Sequence, residues 1–118
     1  MHVALGDHQV TQLSAFVQAR ALGAAVHVPL AADGRLLTDD YGFGLEPIDY
    51  PDTGSAIVLW DSGAAEIPLA GVPPREGNDP HEDPRADVDA RRQKAAFLYD
   101  GTLIDVCDGQ ACTADPAP

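Results

Sequence analysis

Cationic side chains, aromatics and long apolar runs are all scarce in this sequence, and each shortage removes a class of function. Seven Lys and Arg stand against nineteen Asp and Glu, a formal net charge of -12. Such a surface repels a phosphate backbone and anionic headgroups wherever salt does not screen it, so neither nucleic acid nor a membrane is an expected partner. Four basic residues, Arg85, Arg91, Arg92 and Lys94, share one segment, but Glu82, Asp83, Asp87 and Asp89 offset them, and mixed charge of this kind reads as a solvated helix face. No apolar stretch approaches the roughly 20 residues that span a bilayer. The amino end carries no basic region followed by an apolar run, so no signal peptide is expected in this chain. Three Phe, three Tyr and one Trp, diluted by ten Pro and eleven Gly, argue against a helical bundle. The 118 residues allow one domain at most, with about two thirds of the unfolded surface buried.

What is present has the order of an α/β sheet. Val3-Ala4-Leu5 reads as the end of a buried strand that runs into Gly6-Asp7-His8-Gln9-Val10. Apolar residues at Leu13, Phe16, Val17 and Ala21 line one face of a helix expected from Thr11 to Leu22, and Gly23 supplies its left-handed terminus. Ala25 to Val28 is a short strand or an extended connection before Pro29, and residues 31–53, rich in turn signals, form a long surface excursion. Ser55-Ala56-Ile57-Val58-Leu59-Trp60 fits a strand buried on both faces. Asp83 as cap and Pro84 at the first helical position open a helix to about Leu98, with its apolar carboxyl end packed and its first half in solvent. Leu103 to Cys107 resembles a further short strand, and residues 113–118 form a disordered tail after a domain of residues 1–112. Strand, helix, excursion, strand, loop, helix implies parallel strands. The second apolar strand demands neighbours on both edges that the chain does not obviously provide, which points to sequence missing on the amino side.

Two residues are placed for proton transfer. Asp7 lies at the carboxyl end of a strand and before a helix, where ligand sites gather in open α/β sheets, although a turn or capping role suits an aspartate equally. His81 lies in the loop Asn78-Asp79-Pro80-His81-Glu82-Asp83-Pro84 after the second strand. An imidazole there would serve as general base toward a serine hydroxyl, with Asp7 holding its tautomer. Asp79, Glu82 and Asp83 lack the alternating acid pattern of a calcium loop, and no metal or cofactor is expected. Cys107 and Cys112 are close enough in sequence for a small-loop disulfide and too few for structural zinc; a bridge is expected, with two free thiols as the alternative.

Leu5-Gly6-Asp7-His8-Gln9-Val10 before an amphipathic helix is similar to the acid-bearing turn of the α/β-hydrolase fold, and Asp79-Pro80-His81-Glu82-Asp83-Pro84-Arg85 resembles the histidine loop in a group of secreted, largely uncharacterised bacterial α/β-hydrolase-like proteins. A cysteine pair closes the chain in that group, as Cys107 and Cys112 do here. The resemblance spans essentially the whole 118 residues, as the last part of that fold, and implies a partial α/β-hydrolase-type sheet, its last strands and helices joined by long loops. It implies Asp7 and His81 as triad acid and base, in the family's order of serine, acid, histidine. With the cysteine pair it also implies a secreted or periplasmic location. The family's Gly-x-Ser-x-Gly elbow is absent, and none of Ser14, Ser55 or Ser62 sits in such a turn. The chain is therefore expected to be the carboxyl-terminal portion of a serine hydrolase that cleaves an ester or amide of a small molecule or peptide. Alone it would be inactive, its partner being the missing amino-terminal portion. The alternative is a non-catalytic structural or binding domain of an exported protein.

Overall fold

The chain threads β1 (His2–Ala4), α1 (Gln12–Leu22), β2 (Ala25–Val26), a short 3-10 helix (Asp39–Gly42), β3 (Ala56–Asp61), α2 (Asp83–Ala86), α3 (Val88–Asp100) and β4 (Cys112–Thr113) in a computed structural model that describes residues 1–70, 72 and 74–118. All pairings within the sheet are parallel and all involve β3, with Val3 opposite Leu59, Val26 opposite Ile57 and Cys112 opposite Trp60. The carbonyls of Ser55, Ile57 and Asp61 accept from the amides of Ala25, His27 and Ala114, whereas the Trp60 carbonyl accepts from Leu5. Alternate residues of a strand bond to opposite sides, so β2 and β4 share one flank of β3 and β1 takes the other. The neighbours that β3 requires are thus supplied by this chain. β1 is the edge strand on its flank of β3.

All six residues of β3 are buried, and its alternation feeds two cores. Ile57 and Leu59 pack with Leu5, Phe16, Ala19 and Tyr41 beneath α1, while Val58 and Trp60 pack with Ala90, Val106 and Ala114 beneath α3. The Cα radius of gyration, 13.4 Å, is about what size scaling gives for a compact domain of this length.

Both long helices bury faces other than those their apolar residues predict. In α1 the buried stripe is Gln12, Ala15, Phe16 and Ala19, and Leu13 and Val17 are exposed. The two alanines let the helix approach the sheet closely, and the polar end of Gln12 is satisfied there by Tyr41, Glu66 and the amide of Gly6. In α3 the buried residues are Ala90 and Gln93, and Phe97, Leu98 and Tyr99 face outward. Gln93 is held by the Ile104 carbonyl and by His2. The expected single helix from Asp83 is two helices, because Asp87 adopts an extended conformation (φ -67°, ψ 136°) and its carboxylate caps the amides of Asp89 and Ala90. Asp83 caps nothing: its buried carboxylate accepts from the Ser62 hydroxyl and the Ala117 amide.

The excursion at residues 31–53 is only partly superficial. Tyr41 is buried, and Leu36 and Leu45, with Leu30 just before the excursion, pack against the α1 core. Leu103 to Cys107 is not a strand. Leu103 makes one antiparallel bridge to Asp52, after which the Asp105 carboxylate takes the amides of Cys107 and Gly109 into a turn. The tail expected from Thr113 begins inside β4, and its Ala114 and Ala117 amides are hydrogen-bonded.

Candidate active site

The acid-bearing turn is shaped by a glycine and by the acid itself. Gly6 has φ +87°, and a Cβ there would run into the Ala65 carbonyl, so the chain can leave β1 at this angle only without a side chain. Asp7, 4% exposed, then divides its two oxygens. Oδ1 accepts from the amides of Gln9 (2.7 Å) and Val10 (2.8 Å), which closes the turn into α1. Oδ2 lies 2.8 Å from Nδ1 of His81, across 74 positions of sequence. The turn role and the pairing role weighed for Asp7 are both filled, by different atoms.

His81 is presented by a loop with two anchors. Pro80 is fully buried and its carbonyl accepts from Asp83, and Asp83 is tied to Ser62 beyond the end of β3. The second anchor is Asp79. Its Oδ1 accepts from the amides of His8 (3.1 Å) and His81 (3.2 Å), and its Oδ2 accepts from the Gln9 side chain (2.9 Å). One carboxylate thereby clips the histidine loop onto the acid-bearing turn. Burial pushes the Asp79 carboxyl upward, but the hydrogen bonds from Gln9, His8 and His81 outweigh it and hold the group below the usual carboxylate range. The spacing Asp-Pro-His, with an acid two residues before the histidine, was the sequence signal for this clip. His8 contributes its backbone amide to the site.

A carboxylate oxygen only accepts, so Nδ1 of His81 donates to Asp7, and in the neutral ring the lone pair is then on Nε2. Among the described residues Nε2 makes no hydrogen bond, and the nearest charged oxygen is that of Glu82 at 4.0 Å. The imidazole is 15% exposed in its side chain and borders a groove of about 290 Å³ that runs along the edge strand β1 and takes in Val10, Arg85 and Lys94. His2 also lines this groove; burial pushes its imidazole down to about 4, with Lys94 adding to the effect, so it is neutral at neutral pH.

None of the three serines lines this groove. Ser14 on α1 donates back to the Thr11 carbonyl, Ser55 precedes β3, and Ser62 donates to Asp83. Cys107 and Cys112 form a disulfide, with their Cα atoms 5.3 Å apart. Such a bond is consistent with an oxidising compartment. No helix among the described residues is long and apolar enough to cross a membrane.

An imidazole fixed through Nδ1 by a buried carboxylate, in a ring that borders a groove, can take a proton at Nε2 from a hydroxyl placed beside it and return it to a leaving group. Comparison of the chain with protein-family models, with curated proteins and with solved structures finds no match.

Proposed function

We propose that the chain is the carboxyl-terminal portion of an α/β-hydrolase-like serine hydrolase, exported to a secreted or periplasmic location. It supplies Asp7 and His81 as orienting acid and general base for cleavage of an ester or amide. The observation that carries this reading is the 2.8 Å contact of His81 Nδ1 with the buried Asp7 carboxylate, in a ring that borders the groove and whose Nε2 makes no hydrogen bond among the described residues. In the reaction, Nε2 removes the proton from a serine hydroxyl as its oxygen attacks the substrate carbonyl carbon. The imidazolium is stabilised by Asp7 and then protonates the leaving alcohol or amine.

The serine and the oxyanion donors belong, in this reading, to polypeptide outside these 118 residues. Two surface features suit such a neighbour: β1 offers an unpaired edge beside the site, and apolar side chains on the exposed faces of α1 (Leu13, Val17) and α3 (Phe97, Leu98) lack cover. The groove would take a small acyl compound or a peptide as substrate.

The isolated chain is expected to show no turnover of a chromogenic short-chain ester, because the base has no hydroxyl to activate. The chain extended by the coding sequence that precedes it should turn the ester over, and His81→Ala in that longer protein should lower kcat by about 10³-fold or more. Activity of the longer protein that survives His81→Ala would overturn the assignment. A longer protein that is folded and inert would leave the structural or binding role as the reading.

A further inference from the structure

On the flank of β3 opposite β1, a second constellation of reactive side chains takes no part in the proposed hydrolase chemistry. His27 follows β2, its amide donates to the Ile57 carbonyl, and its imidazole is 2% exposed. Nε2 lies 2.7 Å from the carbonyl of Gln110, in the loop between the two cysteines, and Nδ1 lies 3.0 Å from the Tyr50 hydroxyl. A carbonyl only accepts, so Nε2 carries the proton and Nδ1 accepts from Tyr50. Both sulfurs and a ring nitrogen of His27 lie within 4.8 Å of one another.

We propose that, once the Cys107–Cys112 bond is reduced, Cys107, Cys112 and His27 form a site for a thiophilic divalent metal ion of the zinc class, so that metal binding and disulfide formation exclude each other. Each cysteine has a backbone restraint besides the covalent bond. Cys107 is held in its turn by Asp105, and Cys112 is held in β4 against Trp60. Reduction by a dithiol passes two electrons and two protons to the cysteine sulfurs and leaves the reductant as its own disulfide. The metal ion then displaces both thiol protons, and two thiolates with one neutral imidazole make a donor set that zinc favours. Donor atoms around tetrahedral zinc stand roughly 3.5–3.8 Å apart, so the released sulfurs must separate and the imidazole adjust by movements on the order of 1–2 Å.

The Gln110 peptide must turn away to free Nε2 for the metal. The ring proton then resides on Nδ1 and is donated to the Tyr50 oxygen, the outer-sphere bond that usually orients a ligating histidine. Cys107 is only half buried, which leaves the fourth position open to water on that side. A divalent cation is also drawn to a chain of net charge -12.

The test uses the full chain, reduced with dithiothreitol, freed of it without oxygen and titrated with Co²⁺ while far-ultraviolet circular dichroism monitors the fold. The reduced chain should bind one equivalent with sulfur-to-cobalt charge-transfer absorption, and Zn²⁺ should displace it. The disulfide form and Cys107→Ser should show no such band. Tyr50→Phe, which leaves all three ligands in place, should weaken Zn²⁺ binding by about tenfold. A folded, reduced chain without the charge-transfer band overturns the site, as does loss of the fold on reduction or equal uptake by the disulfide form.

Discussion

Asp7 joins structure to proposed chemistry because its two oxygens face different partners, and a substitution can separate them. Asparagine keeps an oxygen that can accept from Gln9 and Val10, so Asp7→Asn should change stability by no more than about 1 kcal/mol. Its amide then faces His81 as a donor, which forces Nδ1 to accept and moves the ring proton to Nε2, the wrong tautomer for a general base. Nitrogen-15 NMR of the imidazole should show protonated Nδ1 in the parent chain and protonated Nε2 in the variant; the same tautomer in both would sink the claim that Asp7 orients His81. This pair was legible in sequence because each residue follows an apolar strand, and parallel strands bring their carboxyl ends together. Asp79 was less legible. Its contribution is to accept two backbone amides from different loops, and nothing in composition or periodicity records where an amide will point.

The elements were readable where a strong local signal stood alone and misread where polar groups shared the core. Gly23 ends α1 with φ 64° as expected of a glycine terminus, and the five apolar residues from Ala56 to Trp60 form most of the central strand. The buried stripes of α1 and α3 each contain a glutamine, Gln12 and Gln93, whose burial depends on hydrogen bonds to distant residues, so counting apolar side chains selected the wrong faces. The break between α2 and α3 follows from Asp87, whose carboxylate offers the backbone an alternative to continuing the helix. Asp87→Ala removes the acceptor for two otherwise unpaired amides at the start of α3, and a loss of about 1 kcal/mol is expected. Urea unfolding should register it as a lower midpoint with an unchanged slope. An unchanged midpoint would mean that water replaces the cap at no cost.

Charge is the property of the whole molecule that the sequence states most directly, and the fold does little to neutralise it. Three Lys/Arg ion pairs are found among the described residues, Arg35 with Asp61 (2.6 Å), Arg85 with Glu82 (2.6 Å) and Arg92 with Asp89 (3.2 Å). The last two are exposed pairs three residues apart, each worth a few tenths of a kcal/mol. Arg35 with Asp61 is stronger: burial pushes the Asp61 carboxyl up, but the Arg35 hydrogen bonds, the Gly63 amide and the Arg35 charge overcome this and hold it below the usual carboxylate range. Most acidic groups have no such partner, so at neutral pH the long-range repulsion of a chain of net charge -12 should outweigh these few local attractions. Salt screens exposed charges over about 10 Å at 0.1 M and leaves buried contacts nearly untouched, so added sodium chloride should relieve the repulsion while costing little attraction. The melting temperature is therefore expected to rise between 10 mM and 0.3 M salt at pH 7, by roughly 4–6 °C for each kcal/mol of repulsion removed. The rise should shrink at pH 4, where protonation of the unpaired carboxylates has already reduced the charge. A melting temperature that falls with salt at pH 7 would mean that attractive pairs govern the electrostatics of this molecule after all.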